Sequence, residues 1–226
     1  MPITCLTCPL CRPLEMESHD QRLSREGTGK KRVSNQKENS MIRIDVPAED
    51  AANPYGYAAH AHGREIMAAA DVFSKAVYQH SILSLREFEG ARSRIAQING
   101  CIVCQQFRAA KDAPSMFAAT GVRPDHLVSD NGPAPDEAFY TAVELWRTSP
   151  LFSPRERAAI EFAERFAEEP KAIADDEDFW ERAHALFSDA EIVDLAHSVA
   201  AWMGLGRVAH VLGFDSICLP FTAAAE

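Results

Sequence analysis

Two cysteines three residues apart, Cys101 and Cys104, end the run Asn99-Gly100-Cys101-Ile102-Val103-Cys104. Asn99-Gly100 reads as a helix stop and the residues after it as a helix start, so the pair sits where a helix begins. Unpaired N–H groups and the positive end of the helix dipole favour thiolate at such a place. Cysteine reactivity follows thiolate population, which makes redox chemistry the first reading. Residues i and i+3 of a helix have Cα atoms about 5 Å apart, inside the roughly 4.4–6.8 Å that a disulfide needs. The pair can therefore bond without unfolding its turn. Ile102 and Val103 cannot ligate metal, and zinc would need two further ligands with no second cysteine pair or His-x-His cluster nearby. A metal site and inert structural cysteines stay open as alternatives.

Two charged residues flank the pair. Arg108 stands four residues after Cys104, so on one continuous helix the two would share a face. A guanidinium there would stabilise a Cys104 thiolate and could bind an oxygen of a substrate; a solvated surface arginine is the plainer reading. Glu89 lies on the preceding helix, on the flank of an apolar stripe formed by Phe88, Ala91/Arg92, Ile95 and Ile98. Its own neighbours Ser93 and Ala96 are small, so a second helix can approach and partly bury the carboxylate. That environment suits a general base or proton relay, against the alternative of an ordinary surface glutamate.

The elements that must position these residues read as helices. Apolar residues at 66, 69/70, 73 and 77 give a helix over 57–80. Ser84-Leu-Arg-Glu87 is a capping box that opens a helix to Asn99, closed by Gly100. The next helix is expected from Cys101 to about Lys111, stopped at Ala113-Pro114. Residues 120–135 are rich in turn signals and read as loop. Asp136 caps a helix to Arg147, Ser153-Pro-Arg-Glu156 opens one that ends before Pro170, and another covers Asp176 to Phe187. Ser188-Asp-Ala-Glu191 opens a long apolar helix to Leu212, with a kink expected at Gly204-Leu205-Gly206 and a stop at Gly213. No useful strand alternation appears, so the fold class is all-α.

The 226 residues are 46% hydrophobic, enough for one domain with a full core and no need of a disulfide staple. Against 33 acidic residues stand 23 basic ones, a net charge of −10 that argues against general binding to nucleic acid or anionic membrane. No stretch reaches the roughly 18 apolar residues of a membrane span. Residues 1–40 differ from the rest: they hold seven basic and five acidic residues, little helical periodicity and the run Lys30-Lys31-Arg32. They read as a disordered tail ahead of a helical domain at 41–226. The start has no secretory character, so a cytoplasmic location is expected. Cys5, Cys8 and Cys11 form a Cys-x-x-Cys-x-x-Cys run that lacks a fourth ligand nearby, and Cys218 reads as a packed, inert cysteine. His80 could line the same pocket as Glu89, whereas His197 and His210, on the apolar last helix, read as core or interface residues. Trp146, Trp180 and Trp202 read as packing or subunit-contact residues.

The segment Leu85-Arg-Glu-Phe-Glu-Gly-Ala-Arg-Ser-Arg-Ile-Ala-Gln-Ile-Asn-Gly-Cys-Ile-Val-Cys104 resembles the signature of the AhpD-like/carboxymuconolactone decarboxylase family. Phe187-Ser-Asp-Ala-Glu-Ile-Val-Asp-Leu through Gly206-Arg207 to Leu212-Gly213 resembles that family's C-terminal helix, and the likeness spans roughly 57–213. The resemblance implies an all-helical fold assembled as homotrimers or homohexamers. It also implies thiol-dependent hydroperoxide reduction where both cysteines are kept, with Cys104 peroxidatic, Cys101 resolving and Glu89 in the proton relay. The family's histidine four residues after the second cysteine is Arg108 here, and a histidine that some members carry between the cysteines is Val103. Arginine holds a thiolate electrostatically but does not shuttle protons at neutral pH. The dipole argument favours Cys101 as the more acidic thiol, while the resemblance and Arg108 favour Cys104.

The expected function is a cytoplasmic peroxidase that needs no metal or organic cofactor. Its partners would be a hydroperoxide substrate and a dithiol reductant protein, thioredoxin-like or lipoyl-bearing. One alternative is a lyase acting on a small carboxylated lactone, with Glu89 and Arg108 handling proton and carboxylate. Another is a non-catalytic oligomeric module with a redox-sensitive fastening. Met41, followed by Ile-Arg-Ile-Asp-Val-Pro, looks like a natural domain beginning, and translation is expected to start there. Mass spectrometry of native protein should then find no peptide from residues 1–40, and finding one overturns that start.

Overall fold

A computed structural model describes residues 42–118, 121 and 124–216. The tail with Cys5, Cys8 and Cys11, the proposed start at Met41, and Cys218 lie outside the described residues. Ten α-helices and four short 3-10 turns account for the regular structure there, and no strand occurs among the described residues. The fold is all-α.

Helix α3 (Leu85–Asn99) is the axis of the molecule. Ser84 and Glu87 make the expected reciprocal capping box, and Gly100 closes the helix at φ 67°, a left-handed conformation that suits glycine. Phe88, Ala91 and Ile95 are fully buried, and so is Glu89 on the flank. Helix α7 (Pro154–Glu168) packs most extensively against α3, and α10 (Asp189–Val211) lies against it too. The contact with α7 is close because Gly90 has no side chain: a Cβ there would come within 3.0 Å of Ile160. Ile160 is fully buried beside a second apolar cluster of Phe139, Tyr140, Val143, Trp146 and Phe152. Trp146, Trp180 and Trp202 pack in or against the two apolar clusters, the first of the two roles read for them from sequence.

Several boundaries differ from the sequence reading, each for a local reason. The helix expected over 57–80 is two: α1 (Pro54–Ala61), capped by the Asn53 side chain on the Gly56 N–H with Pro54 in its first turn, and α2 (Arg64–His80). His62 and Gly63 separate them. The helix expected from Cys101 to Lys111 is also two, α4 (Ile102–Gln106) and α5 (Ala109–Ala118), with Phe107 extended between them at ψ 137°. Pro114 lies inside α5 instead of stopping it. Asp136 caps α6 (Glu137–Ala142), which passes into a 3-10 turn at Val143–Leu145 before reaching Arg147. After α8 (Pro170–Ala174), the Asp176-capped α9 (Glu177–Leu186) and the Ser188 capping box of α10 match expectation. α10 runs through Gly204-Leu205-Gly206 without interruption, and Gly206 serves a close approach described below.

The segment before α1 folds back over the end of α10, where the Arg43 N–H donates to the Leu212 carbonyl at 3.0 Å. Tyr55 meets Phe214 edge to face, with ring centroids 5.5 Å apart. The N-terminal segment and the C-terminal end of α10 thus close one side of the α3–α4 junction.

Truncating Ile160 to Ala should leave a cavity where α3, α7 and the second cluster meet, costing about 2–5 kcal/mol. Urea unfolding with an unchanged m-value checks this.

Candidate redox site

Cys101 and Cys104 are joined as a disulfide, with Cα atoms 5.2 Å apart. Cys101 is the N-cap of α4, and its sulfur accepts the Cys104 N–H at 3.3 Å, where a serine or aspartate oxygen would ordinarily act. The two sulfurs are unequal. Cys101 is fully buried, whereas Cys104 is half-buried. The dipole expected at the helix start shrinks, because α4 is only five residues long and contributes few aligned peptide units.

Arg92 fixes this turn, and sequence reasoning assigned it only to an apolar face. Its guanidinium, 2% exposed, forms two 2.9 Å hydrogen bonds to Glu89 and donates to the carbonyls of Cys104 (2.6 Å) and Phe107 (2.5 Å). The Phe107 ring lies beneath it, 5.4 Å from the guanidinium carbon. One buried cation therefore takes the carbonyl of Cys104 and that of the residue ending α4, which breaks the helix expected to continue to Lys111. Burial works against the Arg92 charge, but the Glu89 carboxylate outweighs it and raises the guanidinium pKa. The available signal was a charged residue in an apolar stripe, because such a group needs a buried partner.

Glu89 was expected to be partly buried; it is entirely so. Its Oε1 also accepts the Ala109 N–H at 3.2 Å, so the same carboxylate that holds Arg92 anchors the start of α5. Burial, then the neighbouring Glu89 charge, push the phenol of Tyr140 up and keep it protonated.

Arg108 does not share a helical face with Cys104, because the chain leaves the helix at Phe107. Its guanidinium pairs with Glu137 through two hydrogen bonds of 2.9 and 2.8 Å and stacks 3.8 Å over the Tyr140 ring. It also donates to the carbonyls of Gln105 (2.7 Å) and Phe107 (3.0 Å), closing the end of α4. The Arg108 hydrogen bond holds the Glu137 carboxyl below its ordinary range. The Arg108 N–H donates to Asp112 at 2.7 Å, a reach-back contact that begins α5. His80 ends α2 exposed.

Helix α10 forms the other wall. A Cβ at Gly206 would stand 2.7 Å from Asn99 Nδ2, so glycine is what lets the Asn99 amide lie against α10, and it would meet Cys104 Sγ at an ordinary 3.7 Å, which puts the α10 backbone beside the sulfur. Asn99 donates to the carbonyls of Trp202 and Met203 and accepts from Arg207 Nε at 3.0 Å, which fastens the end of α3 to α10. One turn further on, His210 is half-buried and its Nδ1 lies 2.9 Å from Asp215 Oδ2. That same oxygen accepts the Ile102 N–H at 3.2 Å. His197 is exposed, with its Nδ1 2.8 Å from the Val193 carbonyl. Beside the disulfide lies a cavity of about 20 Å3, room for one water, lined by Tyr55, Cys101, Val103, Phe214 and Asp215 among others. No cluster of three or more metal-ligating side chains occurs among the described residues, and no described helix is long and apolar enough to cross a membrane.

Fold and site together define an all-α protein carrying a clamped Cys-x-x-Cys disulfide. No family model and no curated protein matches the chain. Among solved structures it is similar to a crystal structure from Agrobacterium tumefaciens of a protein of unknown function, a candidate antioxidant defence protein AhpD. The two are 24% identical with a TM-score of 0.47 over 68% of this chain and 90% of that one.

Replacing Arg92 by Met should leave the Glu89 carboxylate buried without its cation, at a cost of about 3–5 kcal/mol. Adding Glu89→Gln should recover part of that loss, because no unpaired charge then remains. Denaturant unfolding of the single and double variants measures both.

Proposed function

We propose that the chain is a thiol-dependent peroxidase working through Cys104 and Cys101. The observation that carries this reading is a disulfide between a fully buried and a half-buried cysteine, held in a turn whose backbone is fixed from two sides. The Cys104 thiolate attacks a peroxide oxygen, giving sulfenic acid and releasing alcohol or water. Cys101 then displaces the sulfenic oxygen as water and closes the disulfide, and a dithiol protein, thioredoxin-like or lipoyl-bearing, restores the pair. The difference in burial supports Cys104 as the attacking sulfur, since peroxide and reductant must both reach it.

Glu89 and Arg108 enter this reading as positioning residues. Glu89 holds Arg92, which holds the Cys104 carbonyl; Arg108 closes the end of α4 against Glu137 and Tyr140. Each is already committed to a charged partner, which weighs against the lyase alternative, where both would have to meet one substrate. Assembly into a homo-oligomer, as trimer or hexamer, is part of the proposal. It is supported by exposed apolar residues on the neighbouring helices α2 and α10: Ile66 (80% exposed), Val72 (68%) and Val211 (65%).

Cys104→Ser should abolish consumption of tert-butyl hydroperoxide in the presence of dithiothreitol, while the far-ultraviolet circular dichroism keeps its helical amplitude. Undiminished turnover overturns the mechanism.

A further inference from the structure

Asp215 is 5% exposed, lies in the 3-10 turn Phe214–Ser216 just after α10, and lines the same small cavity as the fully buried Cys101. Two groups meet on its Oδ2: the Ile102 N–H from the residue after Cys101, and Nδ1 of His210. An imidazole that donates Nδ1–H to a carboxylate presents the lone pair of Nε2. Here Nε2 lies over the residue before Cys101, 3.3 Å from where a Cβ of Gly100 would stand. The His–carboxylate pair therefore brackets Cys101 along the chain.

The electrostatics of this corner are decided by that pair. A thiolate at Cys101 would face a buried carboxylate, and like charges in a water-poor site disfavour each other. Protonated His210 cancels the Asp215 charge; neutral His210 leaves it bare. The other ionisable groups that border the corner do not supply the missing cation. Burial, then Asp71, push the Tyr55 phenol up to about 12, so it stays neutral. Arg207 turns its Nε to Asn99 and is exposed, as is Arg43, which meets the end of α10 through its backbone, so water screens both charges from the corner. Arg92, buried on the carbonyl side of the turn, is balanced by Glu89, and Cys104 is the bonded partner itself.

We propose that His210, oriented by Asp215, is the positioning residue that balances charge on the Cys101 sulfur, taking up a proton as the disulfide opens and giving it up as the disulfide closes. In opening, a dithiol's thiolate attacks Cys104 Sγ, the S–S bond breaks, and its electron pair leaves on Cys101 while His210 binds a proton. The second thiol of the reductant completes the two-electron exchange. In closing, the Cys101 thiolate attacks the Cys104 sulfenic sulfur, the S–O bond breaks, and the departing hydroxide with the His210 proton becomes water. This rests on the dithiol–disulfide cycle proposed above; the opening step is independent of the oxidant, and only the closing step through the sulfenic acid takes peroxide as the oxidant.

Coupling of this kind is reciprocal: the thiolate raises the affinity of His210 for a proton as much as the imidazolium favours the thiolate. In the full chain, the His210 ring titrated by NMR, its signal assigned by loss in His210→Gln, should show a midpoint about one pH unit higher after reduction with dithiothreitol than in the disulfide form. The same midpoint in both states overturns the proposal. In a Cys104→Ser background, the ultraviolet absorbance of the Cys101 thiolate, taken as the difference from the Cys101→Ser/Cys104→Ser chain, should titrate about one unit higher when His210 is Gln. An unmoved thiol midpoint in a folded His210→Gln variant also overturns it; if that variant fails to fold, the titration of the unaltered chain decides. Neither readout uses peroxide. A chain that shows the coupling yet consumes no hydroperoxide keeps this inference and loses the peroxidase, and the converse result does the opposite.

Discussion

The guanidinium of Arg92 sits where three helices would otherwise drift apart. It is anchored at one end by Glu89 from its own helix and reaches with the other to two carbonyls of the chain that carries the cysteines. Buried charges persist only when paired and hydrogen-bonded, and here pairing and positioning are one set of contacts. Because Glu89 also takes the Ala109 N–H, a single buried ion pair fixes where α4 ends and α5 begins. The cysteine turn inherits its shape from that pair.

A second clamp acts from the opposite side. α10 contributes Gly206 beside Cys104, the carbonyls of Trp202 and Met203 to Asn99, and His210, which pairs with Asp215 of the following 3-10 turn at the start of α4. Buried networks of this kind are rigid when every member is satisfied. The disulfide is thus held from α3 at its carbonyl side and from α10 at its amide side. What distinguishes its two sulfurs is access to solvent, since a one-turn helix supplies little dipole to tell them apart.

Much of this was legible in the chain. Three Ser-x-x-Glu boxes, at Ser84, Ser153 and Ser188, each opened a helix as read, because a capping box is a local contact between residues three apart. The Gly100 stop and the disulfide geometry of Cys101 and Cys104 were legible for the same reason. The break at Phe107 was not, because it is imposed by Arg92, fifteen residues earlier in the chain. Arg108 was misplaced as a consequence: its expected face assumed that the helix continued. Gly206 read as a kink because a glycine in a helix announces a missing side chain without saying whether the backbone bends or a neighbour needs the space. The pairing of His210 with Asp215 was not legible either, since its partner lies across the Gly213 turn, at a spacing that no helical pattern relates.

The absent side chain at Gly206 leaves one wall of the Cys104 sulfur made of bare peptide, contributed from a hundred residues downstream. The clearance around that atom is therefore set by the seating of a distant helix, separately from the cysteine turn that holds it. Backbone shifts in α10 would narrow or widen the space at that sulfur with both cysteines left untouched.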